Sequence, residues 1–334
     1  MTRRKPSIIG HLRSLVQFPI LLITFSGMWI ATTLGFTRQA FRFLGRGMQS
    51  QRLKVRAFKD YQPTTRDVFV CTYAKSGTNW AMQIAYQIAH YGQGTFDHIH
   101  DVVPWPDAPL PTIVSLHDPS TYQHAPSGMR VIKTHLESSY VPYSPDAKYI
   151  VVVRDPKEIF VSSYFFSGGM LPKSSMIAVE EWLSLFLSND FPYGSWPAHI
   201  ASYWPWRSHA NVLFLTYAEM KADPIATVRR IAALMGIDLS DDVLALVVEK
   251  SSFPYMKRLD HKFMPMAPFP FNQLLGQPSM IRKGESGATA EALTPEQQAR
   301  IDRYMQDGLR RHQCDFPYDT MFEMIDDPHL ASAA

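Results

Sequence analysis

The chain has 334 residues, of which 46% are hydrophobic and 19% are charged, so most of it can bury a core as one large domain or two modest ones. The formal net charge of +3 is too balanced for a protein that coats nucleic acid, so a nucleic-acid partner is not expected. Only 2 cysteines are present, which excludes a disulfide framework and a cysteine-rich metal site.

The N-terminal segment is basic and partly apolar. No acidic residue precedes Asp60, and residues 16–36 form an uncharged run of about the length that a spanning helix requires. Residues 37–58 interleave arginines with apolar residues, a pattern typical of a helix on an anionic membrane surface. The pattern also suits helices packed on the domain.

We interpret residues 1–60 as a membrane-associating helical segment and residues 61–334 as a separate domain. Residues 16–58 would contact the bilayer, either as a single span or as an in-plane helix, and the sequence leaves these two open. The basic C-terminal flank of the apolar run predicts a membrane-associated protein whose main domain faces the cytoplasm.

Strand and helix patterns alternate from Asp67 onward, which predicts an α/β fold with a parallel central sheet and helices on both faces. Candidate strands are Val68–Thr72, Arg130–Lys133, Tyr149–Val153 and Val212–Thr216. Candidate helices are Asn79–His90, Pro156–Phe166, Trp196–Ser208, a helix capped by Asp223 that ends before Gly236, and a helix capped by Thr294. Residues 98–127 and 261–281 fit neither pattern and are predicted to border a binding pocket.

The stretch TYAKSGTNW, residues 72–80, joins the first strand to the first helix. The amides of such a helix N-terminus bind phosphate, Lys75 adds a positive charge, and Gly77 permits a close approach of the backbone. The lysine precedes the glycine, so the order of the ATP and GTP loop, GxxxxGK[ST], is absent. A phosphate site is therefore predicted, but not an ordinary magnesium–nucleotide site.

Three further motifs carry polar residues to strand or loop ends. Arg154 ends a strand, where a guanidinium can bind two phosphate oxygens, although a salt bridge to Asp155 or Glu158 is the alternative. Lys133 and His135 end another strand, which makes the histidine a candidate general base. The fourth motif, IRKG at residues 281–284, could by itself be any solvated turn.

These motifs together resemble one family. TYAKSGTNW resembles the 5′-phosphosulfate loop of the cytosolic-type sulfotransferases, RDPKEIFVSSY their 3′-phosphate motif, KTHL their catalytic-histidine segment and IRKGESG their C-terminal loop. The resemblance covers residues 68–308. It implies a P-loop-like fold and transfer of a sulfuryl group from 3′-phosphoadenosine 5′-phosphosulfate (PAPS), without a metal, to a hydroxyl or amine of a small molecule.

The resemblance also implies residue roles. His135 would be the general base, Lys133 would stabilise the sulfuryl oxygens, and Lys75 would offset charge on the departing phosphate, with Ser162 holding Lys75 away until acceptor binds. The adenine would lie between Trp80 and Phe253, with Tyr217 and Ser251 at its edge. The phosphosulfate would be held by Lys75, Ser76, Gly77, Thr78 and Asn79, and the 3′-phosphate by Arg154, Ser162, Arg282, Lys283 and Gly284.

The chain also departs from the family pattern. Ala74 replaces the proline of the loop, and Ala290, Pro295 and Ala299 stand where the family's dimer motif has Lys, Val and Glu, so the oligomeric state stays open. Residues 261–281, the second irregular segment, contain the apolar residues Phe263, Met264, Met266, Phe269 and Phe271. Together with the N-terminal segment, these residues favour a lipophilic alcohol or phenol as acceptor, although an apolar lid would contain the same residues.

Three alternative functions remain. The first is a P-loop-like nucleotide kinase, which would require magnesium. The second is a non-catalytic PAP- or PAPS-binding membrane protein, against which the retained Lys75, Lys133 and His135 argue. The third is a Golgi-type lumenal sulfotransferase, against which the short distance from the apolar run to the first strand argues.

Overall fold

The computed structural model describes residues 23–24, 26–108, 110, 113–170, 177–264, 279–282 and 289–324. Four parallel strands form the central sheet, in the order β2-β1-β3-β4. They are β1 (Asp67–Thr72), β2 (Arg130–Thr134), β3 (Lys148–Val153) and β4 (Val212–Thr216). All four predicted strands are found within one residue of these bounds, and the predicted parallel α/β fold is confirmed.

Helices follow the strands and cover the sheet. Residues 26–33 are also helical. The predicted helix at 196–208 ends in a 3₁₀ turn at Trp204–Ser208, because Pro205 has no N–H to continue the α-helical pattern. The α-helices are α1 (Thr37–Met48), α2 (Gln51–Ala57), α3 (Thr78–Ala89), α4 (Ser120–Gln123), α5 (Pro156–Gly169), α6 (Val179–Phe186), α7 (Trp196–Tyr203), α8 (Tyr217–Ala222), α9 (Pro224–Met235), α10 (Asp241–Lys250), α11 (Phe253–Arg258), α12 (Thr289–Ala292), α13 (Pro295–Arg311) and α14 (Tyr318–Met321).

The two faces of the sheet bury separate cores. Successive side chains of a strand point to opposite faces, so Phe69 and Cys71 of β1 enter one core while Val68 and Val70 enter the other. Helices α5, α6, α7 and α13 contribute to the first core, and α3, α9 and α10 to the second. Strands β1, β2 and β3 are buried along almost their whole length, whereas the edge strand β4 is partly half-buried. The nearly continuous apolar sequences of β1 and β3 indicate such burial on both faces. Cys71 is a buried free thiol.

Helix α1 packs against the domain. Phe41 is 2% exposed, and its ring contacts Trp182 of α6 edge-to-face with 5.0 Å between centroids. Arg42 and Arg46 pair with Asp190 at 2.8 and 2.9 Å. The apolar face of α1 therefore lies on protein, and these two arginines face a carboxylate of the same chain.

The predicted membrane location, with the domain facing the cytoplasm, is contradicted. Within the residues that the structure describes, no helix has both the length and the apolar composition needed to cross a bilayer. Three of the cations that suggested an anionic membrane surface pair with carboxylates of the domain: Arg42 and Arg46 with Asp190, and Lys54 with Glu137 at 3.0 Å. Residues 16–22 and residue 25 of the predicted span lie outside the described residues. The division of the chain at residue 60 stays a prediction.

Candidate active site

A cavity of 720 Å³ opens at the carboxyl ends of the strands, where parallel sheets bind ligands. Of the predicted site residues, Ser76 does not line it, and Lys283 and Gly284 lie outside the described residues. The remaining ones line this one cavity: Lys75, Gly77, Thr78, Asn79, Trp80, Lys133, His135, Arg154, Ser162, Tyr217, Ser251, Phe253 and Arg282.

The turn from β1 to α3 has a strained backbone. Lys75 has a φ of 68° and Gly77 a φ of 93°, in the left-handed region that costs a side-chain-bearing residue about 1–3 kcal/mol. At Gly77 a side chain is also excluded by space, since a Cβ there would lie 2.7 Å from Cδ2 of Tyr217. The turn leads directly into the first helical residue, Thr78, whose Oγ1 is 2.6 Å from that of Thr72. The first amides of α3 therefore face the cavity region at a fixed position.

Lys75 rests against an aromatic ring. Its Nζ lies 3.9 Å from the ring centroid of Phe166 in α5. Burial lowers the pKa of Lys75 to about 7, and the positive charges of Arg154 and Lys133 add to the effect. The ammonium thus lacks a close anion among the described residues, which is the electrostatic state expected of a site that receives one.

Arg154 connects two of the motifs. Its Nη1 donates a hydrogen bond to the carbonyl of Lys75 at 2.9 Å, and its Nε donates to Glu158 at 2.8 Å. The guanidinium also lies 4.2 Å above the ring of Tyr217. The salt bridge considered as an alternative role for Arg154 therefore exists, to Glu158, and it orients the guanidinium toward the β1–α3 turn.

Two buried hydroxyls, one on the cavity wall and one in the turn, have no hydrogen-bond partner among the described residues. Oγ of Ser251 is buried without a hydrogen-bond partner in the described part of the chain, and so is Oγ of Ser76 beneath the turn. Ser162 lies on the wall. Arg282 lies there too, with its guanidinium 4.6 Å from the ring centroid of Phe165. The wall therefore has cations and hydroxyls on more than one side.

Aromatic rings border the same space. Trp80, in the first turn of α3, contacts Tyr217 edge-to-face with 5.7 Å between centroids. Phe253, at the start of α11, lines the cavity with 40% of its surface exposed. Two flat apolar faces are thus available to a planar ligand.

His135 has a defined tautomer. Its Nδ1 lies 2.7 Å from the carbonyl oxygen of Thr72, and because a carbonyl can only accept, Nδ1 carries the proton and Nε2 keeps a lone pair. Burial lowers the pKa of His135 well below its usual value, and the charge of Lys133 lowers it further. The imidazole is therefore neutral at physiological pH, which is the form that accepts a proton.

Lys133 lies beside the histidine in a similar environment. Its Nζ is 3.4 Å from the ring centroid of Trp105, an arrangement in which the aromatic face attracts the ammonium. Burial lowers the pKa of Lys133 to about 7, opposed in part by the negative charge of Asp107. Burial therefore disfavours the charged form of both Lys133 and Lys75 in the empty cavity.

Sequence reasoning missed Trp105 and Asp107. Oδ2 of Asp107 accepts hydrogen bonds from Nε1 of Trp105 at 3.0 Å and from the backbone N–H of His135 at 3.1 Å. Burial raises the pKa of Asp107. The available signal was their position in residues 98–127, the irregular segment predicted to border a pocket.

The arrangement offers cations for anionic groups, a neutral imidazole base and aromatic faces around one cavity. In the described ranges, no three His, Cys, Asp or Glu side chains come together as a group that could hold a metal ion. Such a site can bind a planar ligand with more than one anionic group and accept a proton from a second molecule.

Comparison with known proteins identifies relatives over most of the chain. The family model described as "Sulfotransferase domain" matches residues 65–313. The chain is 30% identical to sulfotransferase 2A1 of Macaca fascicularis over 81% of this chain and 93% of that protein. It is 28% identical to sulfotransferase 1C2 of Oryctolagus cuniculus, over 77% and 88%. Among solved structures, it is similar to mouse sulfotransferase SULT7A1 complexed with PAP, with a TM-score of 0.57 and 25% identity over 79% of this chain and 91% of that one.

Proposed function

The chain belongs to the sulfotransferase domain family, and from that premise we propose that it sulfonates the hydroxyl or amine of a lipophilic small molecule with His135 as general base. The enzyme class and the donor follow from the family: the protein is a PAPS-dependent sulfotransferase. The acceptor class and the role of each residue are what we propose.

The observation that carries the proposal is the placement of two cationic positions in the cavity that also holds His135. PAPS has two separate anionic groups, the 5′-phosphosulfate and the 3′-phosphate. Lys75 and the first amides of α3 suit the phosphosulfate, and Arg154 with Ser162 and Arg282 suits the 3′-phosphate. Lys283 and Gly284, assigned to the same phosphate by resemblance, lie outside the described residues.

The aromatic faces suit the adenine of the donor. Trp80 and Phe253 both line the cavity, and stacking between an adenine and such rings stabilises binding without a specific hydrogen bond. Ser251 and Tyr217 lie at the same wall, and the buried hydroxyl of Ser251 has no partner in the described part of the chain. A base edge would supply that partner.

The chemical step is an in-line transfer. Nε2 of His135 takes the proton of the acceptor hydroxyl. At the same time the hydroxyl oxygen of the acceptor forms a bond to sulfur, and the bond from sulfur to the 5′-phosphate oxygen breaks. The product is the sulfate ester, and PAP departs with the electron pair. Lys133 stabilises negative charge on the sulfuryl oxygens, and Lys75 stabilises charge on the leaving phosphate.

The pKa values of His135, Lys75 and Lys133 agree with the roles of base and charge-stabilising cations proposed for them. Without a ligand, burial keeps His135 neutral and lowers the pKa of both lysines to about 7. An anionic donor favours the charged form of each lysine. Donor binding would therefore recharge Lys75 and Lys133 at the moment when their charge is required.

The lipophilic acceptor is proposed from the wall near His135. Trp105 contacts His135 edge-to-face at 5.3 Å between centroids, and Phe166 and Tyr193 line the same cavity. Aromatic rings of this kind bury an apolar ligand body and leave its hydroxyl to the base. Phe263 is fully buried in the core on one face of the sheet, so it packs the fold, and Met266, Phe269 and Phe271 lie outside the described residues.

The test is calorimetric binding of PAP in magnesium-free buffer, followed by transfer from sulfur-35-labelled PAPS to phenols. We expect wild type to bind PAP and Arg154→Ala to lose binding, while Arg310→Ala, at an exposed site outside the cavity, retains it. Circular dichroism of both variants separates lost binding from lost folding. Failure of folded wild type to bind PAP would refute the proposal, PAP binding without any transfer would favour a non-catalytic binder, and a strict magnesium requirement would favour a nucleotide kinase.

A further inference from the structure

Helix α1 reaches the wall of the cavity. Its last residue, Met48, lines the cavity although 39% of its surface remains exposed, so it stands at the opening. The match to the sulfotransferase domain begins at residue 65, which leaves α1 outside the part of the chain that the family model covers.

The C-terminal end of α1 is fixed to the segment that carries Tyr193. A Cβ at Gly45 would lie 2.1 Å from the carbonyl oxygen of Asp190, so helix and segment touch at the backbone. Nε2 of Gln49 donates to the carbonyl of Pro192 at 3.0 Å. The end of α1 is therefore fixed to the segment on both sides of Met48, and Met48 and Tyr193 line the same cavity.

Two arginines of α1 contact Asp190 and do not line the cavity. Arg42 and Arg46 both contact the carboxylate of Asp190. The side chain that α1 contributes to the cavity is therefore an uncharged thioether, which adapts its shape to an apolar ligand. Phe166, on whose ring Lys75 rests, lines the cavity as well.

We infer that α1 is a specificity element of the enzyme and that Met48, with Phe166 and Tyr193, limits the size of the apolar body that an acceptor can place in the cavity. This inference rests on the proposed function, because it assigns the acceptor to the part of the cavity that these three residues border. It gives the N-terminal helix a role in substrate choice.

The test measures acceptor binding to PAP-loaded protein, so that it does not depend on turnover. The dissociation constants of para-nitrophenol and of the larger, fluorescent hydroxypyrene are compared for wild type, Met48→Ala and Met48→Trp. We expect Met48→Trp to weaken hydroxypyrene relative to para-nitrophenol by about 10-fold or more, the discrimination that a few apolar atoms supply. Met48→Ala should shift the ratio the opposite way.

Phe43→Ala is the matched control. Phe43 lies on the same helix, is 76% exposed and is absent from the cavity wall, so its loss should leave both dissociation constants unchanged. An unchanged ratio in both Met48 variants, or no binding of either phenol to PAP-loaded wild type, would overturn the inference while the donor site stands. Wild type that does not bind PAP would overturn the proposed function, and the inference with it.

Discussion

Oδ2 of Asp107 accepts a hydrogen bond from the backbone N–H of His135 at 3.1 Å. The same oxygen accepts from Nε1 of Trp105 at 3.0 Å, and the Trp105 ring lies 3.4 Å from the ammonium of Lys133. One buried carboxylate therefore fixes the base and the ring beneath the neighbouring cation. We regard Asp107 as a positioning residue, since no contact with a reacting atom is required of it.

Substitution of Asp107 should separate the hydrogen bonds from the charge. Asp107→Asn keeps an oxygen that can accept both bonds, whereas Asp107→Leu keeps none. We expect Asp107→Leu to lower kcat by up to about 10²-fold, the effect of a small misplacement of a catalytic group, and Asp107→Asn to lower it much less. Steady-state kinetics would measure the two effects, and PAP affinity, measured in parallel, should change little. Equal losses in both variants would show that the charge, and not the positioning, matters.

Loss of the imidazole should affect the chemical step and spare donor binding. His135→Ala removes the lone pair at Nε2, and we expect kcat to fall by about 10²–10⁴, the usual contribution of a general base. PAP affinity, measured by calorimetry, should stay near that of wild type. His312→Ala, at an exposed histidine after α13, is the control. Unchanged turnover in His135→Ala would remove the histidine from the proposed mechanism.

The sheet and much of the site could be predicted from local sequence. Strands buried on both faces show as unbroken apolar runs, as at Tyr149–Val153, and polar residues at the ends of parallel strands are expected at one edge of the sheet. Lys75, Lys133 and Arg154 all line one cavity for this reason. Their roles stay proposals.

Features that depend on distant partners could not be predicted. The amphipathic pattern of α1 suits a membrane surface and a protein surface equally, and only the fold places Asp190 beside Arg42 and Arg46. Trp105 and Asp107 lie in a loop without periodicity, so nothing local marked their hydrogen bonds to each other and to the strand end. The membrane interpretation was wrong because an amphipathic pattern shows that a helix has an apolar face, but not whether that face packs on lipid or on protein.

The turn before α3 predicts a difference between two glycine substitutions. Gly77→Ala adds a methyl group 2.7 Å from Cδ2 of Tyr217 at a φ of +93°, whereas Gly128→Ala adds one at a φ of +69° with no atom within 4 Å. Gly128→Ala should cost about 1–3 kcal/mol from backbone strain alone. Gly77→Ala should cost more and should also weaken PAP binding. Denaturant unfolding and calorimetry would measure both, and equal losses of stability would show that Tyr217 moves aside freely.

Donor binding should take up protons above neutral pH. The pKa of Lys75 and that of Lys133 are lowered to about 7 in the unliganded protein, and the bound anion raises them. Below the unliganded pKa values both lysines are already charged, so uptake is small; above them, each neutral lysine must gain a proton when PAP binds, and affinity therefore falls as pH rises.

Calorimetry of PAP binding in buffers of different ionisation enthalpy measures this uptake directly. At about pH 8 we expect net uptake, declining toward zero as the pH is lowered through the unliganded pKa values. Lys133→Met should remove up to one of the protons, whereas Lys59→Met, at an exposed site on the N-terminal segment, should remove none. Binding without proton uptake at about pH 8 would mean that both lysines are charged before the donor arrives, and that their burial in the empty cavity does not neutralise them.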